Sequence, residues 1–360
     1  MTKTAVVLFN LGGPDTPEAV QPFLFNLFND PAIIAAPGPV RWALAKFISG
    51  RRAPIAREIY ENLGGGSPLL ANTRAQADAL EKVLNAGGAL GEAKVFIAMR
   101  YWHPMSRETA SEVAAWAPDR VILLPLYPQF STTTSGSSIG AWRKAAREAG
   151  LGAETQAVCC YPTQQGFVEE VARLTREALS EAREAGRPRV LFSAHGLPKK
   201  IVDKGDPYQW QVERSTEAVV AALDEPELDW LVCYQSRVGP LEWIGPDTEA
   251  EIVRAAEDGV AIVVVPIAFV SEHSETLVEL DIEYGALAEK HGAPGYFRVP
   301  TVDAGKAFVE GLAQVVQATA ASERRICSLD GGRICPYEWA RCPQAAANEA
   351  DEAIRAKGAG

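Results

Sequence analysis

Short apolar runs rich in β-branched residues, bounded by Gly, Pro or polar residues, alternate along this chain with long amphipathic stretches of Ala, Glu and Arg. A run that is apolar throughout must be buried on both faces. Covering a parallel sheet with helices achieves that. The runs fall at residues 5–9, 94–99, 120–125 and 154–159, and again at 189–193, 230–233 and 261–266. Amphipathic spacing predicts helices over 73–86, 139–149, 165–185, 211–223 and 248–258. Each half reads as one doubly wound unit, which makes this an α/β fold of two Rossmann-like lobes. The lobes span residues 1–163 and 164–320, and a Cys-containing extension, 321–360, follows.

Functional groups in such sheets gather beyond the carboxyl ends of the strands. Three of the four histidines, His103, His195 and His273, stand at such ends. His195 follows the run Val190-Leu-Phe192 and precedes Gly196, which is a place for a base or a ligand. Behind His273 comes Glu275, with Glu279 and Glu283 at four-residue intervals. On an α-helix these carboxylates form one stripe, and no Lys or Arg inside the segment relieves their repulsion. A metal cation or labile protons are expected to balance them.

A net charge of −11 argues against a nucleic-acid partner. No apolar stretch is long enough to span a bilayer, and the first run is too short for a signal-peptide core, so a cytoplasmic protein is expected. Without an export signal, six cysteines do not read as a disulfide framework. Cys327, Cys335 and Cys342 fall within sixteen residues, which suits zinc or an iron–sulfur cluster. The fourth ligand is then Cys159 or Cys160, while Cys233, inside an apolar run, reads as a buried small hydrophobe. No Gly-Lys-Ser/Thr follows Gly64-Gly-Gly-Ser67, which disfavours nucleotide binding.

Taken in order, several segments resemble the ferrochelatase family. They are Asn10-Leu-Gly-Gly-Pro14, Arg51-Arg52 with Gly64-Gly-Gly-Ser-Pro68, Arg100-Tyr-Trp-His-Pro104, Tyr127-Pro-Gln-Phe130 and Phe192-Ser-Ala-His-Gly-Leu-Pro198. Gln235-Ser-Arg-Val-Gly-Pro240, Trp243-Ile-Gly-Pro246 and Pro266–Asp281 complete the set. The resemblance runs from about residue 5 to about residue 315. It implies a chelatase fold whose cleft binds protoporphyrin, with Fe2+ as co-substrate, and hence formation of protohaem, the final step of haem biosynthesis. By position it makes His195 and Glu275 the catalytic and metal-contacting residues, facing each other across the macrocycle, with Glu272, His273 and Glu279 along a proton or metal path. It puts Arg51, Arg52, Tyr60 and Ser67 at the propionates and cleft wall, and Leu11, Arg100, Tyr127, Trp243 and Phe269 around the ring.

The resemblance includes members with a [2Fe-2S] cluster in this extension, which favours iron over zinc for the Cys327, Cys335 and Cys342 set. The pattern departs from mammalian members at Thr132, where they carry a cluster cysteine. Coproporphyrin as substrate, another tetrapyrrole chelatase and a non-catalytic haem carrier remain as alternatives, as do a monomer and a homodimer. The segment from Phe23 to Phe47 is apolar enough to serve as a cleft lip or to rest on the inner membrane surface.

Overall fold

The computed structural model describes residues 2–237, 241–329 and 331–345. Val238, Gly239 and Pro240 of the Gln235–Pro240 motif, and positions 346–360 of the extension, lie outside the described residues. Nine parallel strands form two sheets among those described. The first sheet is built from β1 (Lys3–Asn10), β2 (Glu92–Met99), β3 (Arg120–Pro125) and β4 (Glu154–Cys160). The second takes β5 (Pro188–His195), β6 (Asp229–Gln235), β7 (Ala261–Pro266) and β8 (Tyr296–Arg298), in the order β6-β5-β7-β8. Strand β9 (Ile326–Ser328) returns to the first sheet and closes its order as β2-β1-β3-β4-β9.

The helices are α1 (Val20–Phe28), α2 (Gly38–Glu61), α3 (Leu69–Gly87), α4 (Ser106–Trp116), α5 (Ser135–Glu148) and α6 (Gln165–Ala185). They continue with α7 (Lys199–Val202), α8 (Tyr208–Leu223), α9 (Thr248–Glu257), α10 (Tyr284–Lys290) and α11 (Lys306–Ala321). A π-helix, Glu275–Glu283, runs directly into α10.

The period-two rule sorts β1 between two cores. Val6 and Leu8 join α3, α6 and α11 on one face, while Ala5, Val7 and Phe9 meet Val113 of α4 and Trp142 of α5 on the other. The first of these cores continues into the second sheet through Val190, Phe192, Val263 and Val265. Each fully buried Val, Leu or Phe there contributes about 1.5–3 kcal/mol. Leu191, Cys233, Ile262 and Val264 point to the opposite face, under α9 and α10. All seven apolar runs of the sequence are therefore strands, and β8 and β9 are the additions. Those two are three residues each, too short for a periodicity to register.

Helix α2 inverts the usual pattern. It buries the small side chains Ala45, Ser49 and Ala53, together with Tyr60, and exposes Val40, Trp42, Leu44, Phe47 and Ile55. It crosses α1 and forms the lip seen in the sequence.

Candidate active site

The strand ends of the two sheets are tied to each other by side chains that bridge them. Gln76 of α3 donates to Val270 O (2.7 Å) and Asp303 O (3.0 Å) and accepts from Ser271 Oγ (2.9 Å). Gln129, beyond β3, donates to Ser215 Oγ (2.8 Å) and Ile267 O (3.3 Å), and Asn72 donates to Glu272 O (3.1 Å). Gln76, Gln129 and Ser215 are fully buried, so each bond is made away from competing water.

His195 ends β5, an interior strand flanked by β6 and β7, so its ring projects past the sheet edge. Its Nδ1 lies 2.9 Å from Glu275 Oε2, so the two side chains touch and do not face each other across a ring-wide gap as the resemblance implied, and 40% of the His195 side chain stays exposed. Removal from bulk water disfavours the imidazolium, but the Glu275 carboxylate outweighs that and raises the imidazole pKa. Burial acts on Glu275 in the opposite sense, and the His195 and His273 rings override it, holding the carboxyl well below the usual carboxylate range. His273 Nε2 is 3.8 Å from the same oxygen, and its buried Nδ1 has no hydrogen-bond partner among the described residues.

The acidic segment is wound as a π-helix, not as the α-helix that its four-residue spacing predicts. Glu275 and Glu279 turn inward, whereas Glu283 is exposed. Glu279 accepts from Gln235 Nε2 (3.0 Å), Ser236 N (2.9 Å), Ser236 Oγ (2.6 Å) and Tyr284 Oη (3.1 Å). Burial and the neighbouring Glu275 charge nevertheless raise its pKa. Ser236 holds a φ of +60°, an arrangement that costs about 1 kcal/mol or more and that its two bonds to Glu279 offset. Glu272 faces another way, toward Arg298 (2.7 Å) and Thr301 N (2.9 Å). Arg298 also pairs with Asp281 (2.6 Å). Arg298 of β8 thus pairs with Glu272 and Asp281, while Glu275 meets the two histidine rings.

Around this centre stand the aromatic and aliphatic groups. Phe269 lies 4.8 Å from the His273 ring, centroid to centroid. Trp243 lines the approach to Gly196, where an added Cβ would lie 3.2 Å from the indole. Leu11 packs with Tyr101, Trp102 and Phe28 under the lip. Gly13 approaches the Ser67 side chain so closely that a Cβ there would fall 2.5 Å from it, which is why two Gly motifs distant in sequence meet. Tyr60 is buried and receives a long hydrogen bond from Ser274 Oγ (3.5 Å), and burial pushes its pKa up to about 12. Arg51 and Arg52 are exposed on α2 and lie over the Phe47 and Phe28 rings. Neither has a carboxylate partner among the described residues.

A model of the ferrochelatase family matches residues 3–320. A ferrochelatase of Caulobacter vibrioides is 54% identical over 341 residues, covering 95% of this chain and 97% of that one. A ferrochelatase of Hyphomonas neptunium is 51% identical over 347 residues, covering 95% of each chain.

The chain belongs to the ferrochelatase family.

It is accordingly a lyase that inserts Fe2+ into a porphyrin in haem biosynthesis. The solved structure of SirB from Bacillus subtilis with Fe3+ is similar over 89% of this chain and 96% of its own, with a TM-score of 0.48 and 12% identity. Two groups among the described residues escaped the sequence reading. Asp30 lies between α1 and α2, only 4% exposed, and accepts from Arg100 Nη2 (2.7 Å), Tyr101 Oη (2.8 Å) and Ser137 Oγ (2.5 Å). Gln235 and Ser236 stand inside a motif read from the sequence, yet their role as donors to Glu279 had no local signal.

The extension brings its thiols back to β4. A register shift between Val158 and Cys160 breaks the strand's alternation, so Cys159 Sγ and Cys160 Sγ approach to 3.4 Å. Thiol hydrogen bonds from Cys160 and Cys342 hold the Cys335 thiolate well below the usual thiol range. Gln211 Nε2 adds a bond of 3.0 Å to Cys335 Sγ. All six cysteines are buried, yet among the described residues no three His, Cys, Asp or Glu side chains form a ready metal-holding group.

Proposed function

We propose that this ferrochelatase inserts Fe2+ into protoporphyrin IX, with His195 as proton acceptor and Glu275 as the carboxylate that stabilises the resulting imidazolium. The observation that carries this reading is the 2.9 Å contact between His195 Nδ1 and Glu275 Oε2 at the mouth of the second sheet. Insertion replaces two pyrrole N–H protons by one Fe2+. Neutral His195 takes one pyrrole proton, the charge it gains is paired at once with Glu275, and after that proton leaves along the acidic route it takes the second. Glu279 and His273 continue the acidic route away from the ring, with Glu272 turned aside to Arg298, and the raised pKa of Glu279 suits a group that passes protons. Glu275 and His195 also make the first protein contacts of the incoming Fe2+.

Leu11, Arg100, Tyr127, Trp243 and Phe269 line the slot for the flat macrocycle. Arg51, Arg52, Tyr60 and Ser67 receive the propionates, and the lack of carboxylate partners for both arginines among the described residues supports that assignment. The lobes are taken as residues 1–163 and 164–320, with the extension at 321–360. His195 and Glu275 come from one chain, so a monomer suffices for the chemistry. The protein works in the cytoplasm, with the apolar outer face of α2 resting on the inner membrane surface. No helix of the described residues is long and apolar enough to cross a membrane.

Cys327, Cys335, Cys342 and Cys159 or Cys160 would hold a [2Fe-2S] cluster. Five buried thiols, three in the extension and two at the end of β4, fit the donor chemistry of such a group, although they are not gathered into a finished site. When bound, the cluster supplies iron–thiolate links that tie the extension to β4.

The deciding experiment follows metalloporphyrin absorbance with Zn2+ or Fe2+ and two porphyrins side by side. Faster insertion into protoporphyrin is expected. Faster insertion into coproporphyrin overturns the substrate assignment, and metallation of neither overturns the catalytic one.

A further inference from the structure

Asp30 does more than fill a corner of the lip. Its Oδ2 takes three bonds, from Arg100 Nη2, Tyr101 Oη and Ser137 Oγ, and its Oδ1 takes a fourth from Ala32 N (2.9 Å). Arg100 spends a further donor, Nε, on Ser137 Oγ at 2.6 Å. These partners come from the end of β2, the first turns of α5 and the segment joining α1 to α2. The Asp30 side chain is 2% exposed and that of Arg100 is 21% exposed, so the pair is largely buried and only part of the Arg100 side chain reaches the surface. Arg51 and Arg52 differ in kind: they are exposed and have no carboxylate partner among the described residues. The cleft therefore has one open cationic edge and one arginine whose charge is already cancelled.

We infer that Asp30 is a specificity-determining residue, which neutralises Arg100 so that this wall accepts an apolar porphyrin edge and rejects a carboxylated one. The inference rests on the porphyrin chemistry proposed above and names the class of substrate: a ring with carboxylates on one edge only. A propionate pressed against this wall would lose its hydration and find no free cation, and unpaired charge of that kind is what makes a site selective. An Arg100 without Asp30 would offer a propionate a charge-assisted, bidentate partner. Asp30 is thus a positioning and charge-cancelling residue acting through Arg100.

The test compares kcat/KM for metal insertion into a porphyrin with two propionates and one with four, in the whole protein. Asp30→Asn keeps the size and most hydrogen bonds while releasing the charge on Arg100. It should move the preference toward the four-propionate ring by about tenfold, mainly through KM, the scale of one hydrogen bond to a charged group. Adding Arg100→Gln to Asp30→Asn should return the preference to that of the unsubstituted protein, a rescue that a merely structural role would not produce. Arg100→Gln alone leaves Asp30 uncompensated and should shift the preference further toward two propionates. That single variant decides the matter if Asp30→Asn does not fold. A ratio within twofold of the unsubstituted protein in Asp30→Asn or Arg100→Gln, or no return in the double variant, overturns the inference. Failure of the chelatase reading is distinct, since it leaves the unsubstituted protein without product from either porphyrin, and the inference then falls with it.

Discussion

At the scale of single residues, the proposed chemistry has the contact of His195 with Glu275 set both the rate and its pH dependence. Replacing His195 by Ala removes the proton acceptor and is expected to lower turnover by about 100-fold or more while porphyrin still binds, as followed by fluorescence quenching. The raised imidazole pKa means that His195 carries its own proton at low pH and cannot accept another, so turnover should rise with pH through that raised pKa. Glu275→Gln withdraws the carboxylate that raises it. The acid limb of the kcat profile should then move to lower pH even as the plateau falls, and an unmoved limb would dissociate Glu275 from His195. Arg52→Leu tests the propionate edge: a contact made before and after insertion should raise the porphyrin KM more than it lowers kcat.

At the scale of elements, the π-helix decides which glutamates matter. An α-helical stripe would line up Glu275, Glu279 and Glu283, but the wider π turn leaves Glu283 in solvent. Glu283→Gln should therefore change kcat by less than about twofold, as expected for an exposed substitution away from the chemistry, whereas Glu279→Gln disturbs four donors held in place. The short strand β9 carries a separate expectation. It pairs Cys327 beside Val158, and Arg341 N donates to Gly205 O (3.0 Å), so the extension touches both lobes. Protein purified without oxygen should contain two irons and two sulfides per chain, the content of one [2Fe-2S] cluster. Cys335→Ser should be colourless, with Tm lowered by about 5 °C or more. Colourless native protein would remove the cluster and leave the cleft chemistry untouched.

At the scale of the whole molecule, the outer face of α2 exposes large apolar side chains flanked by cations, with Lys46 over the Trp42 ring and Arg51 over that of Phe47. Trp42 is 50% exposed and Phe47 62%. Sedimentation with phosphatidylglycerol and phosphatidylethanolamine vesicles should carry the protein down, and a Trp42→Ser and Phe47→Ser double variant should bind about tenfold less, given the apolar area lost. Equal sedimentation of both would assign the face to the cleft mouth alone.

The alternation of apolar runs with amphipathic stretches determined two parallel sheets without help from any contact, because an all-apolar strand has only one stable surrounding. The strand-end rule likewise brought out His195, and the family motifs singled out Glu275, but their direct contact came only with the fold. Other features needed the third dimension. The winding of Glu275–Glu283 depends on donors from β6 and from Tyr284, so four-residue spacing alone predicts the wrong helix. Arg298 reaches Glu272 across 26 residues, and Asp30 reaches Arg100 across 70, with nothing local at either position to announce a partner. A strand's burial is written in its own composition, but a buried charge is settled by whichever opposite charge the fold carries to it, and that is a property of tertiary structure.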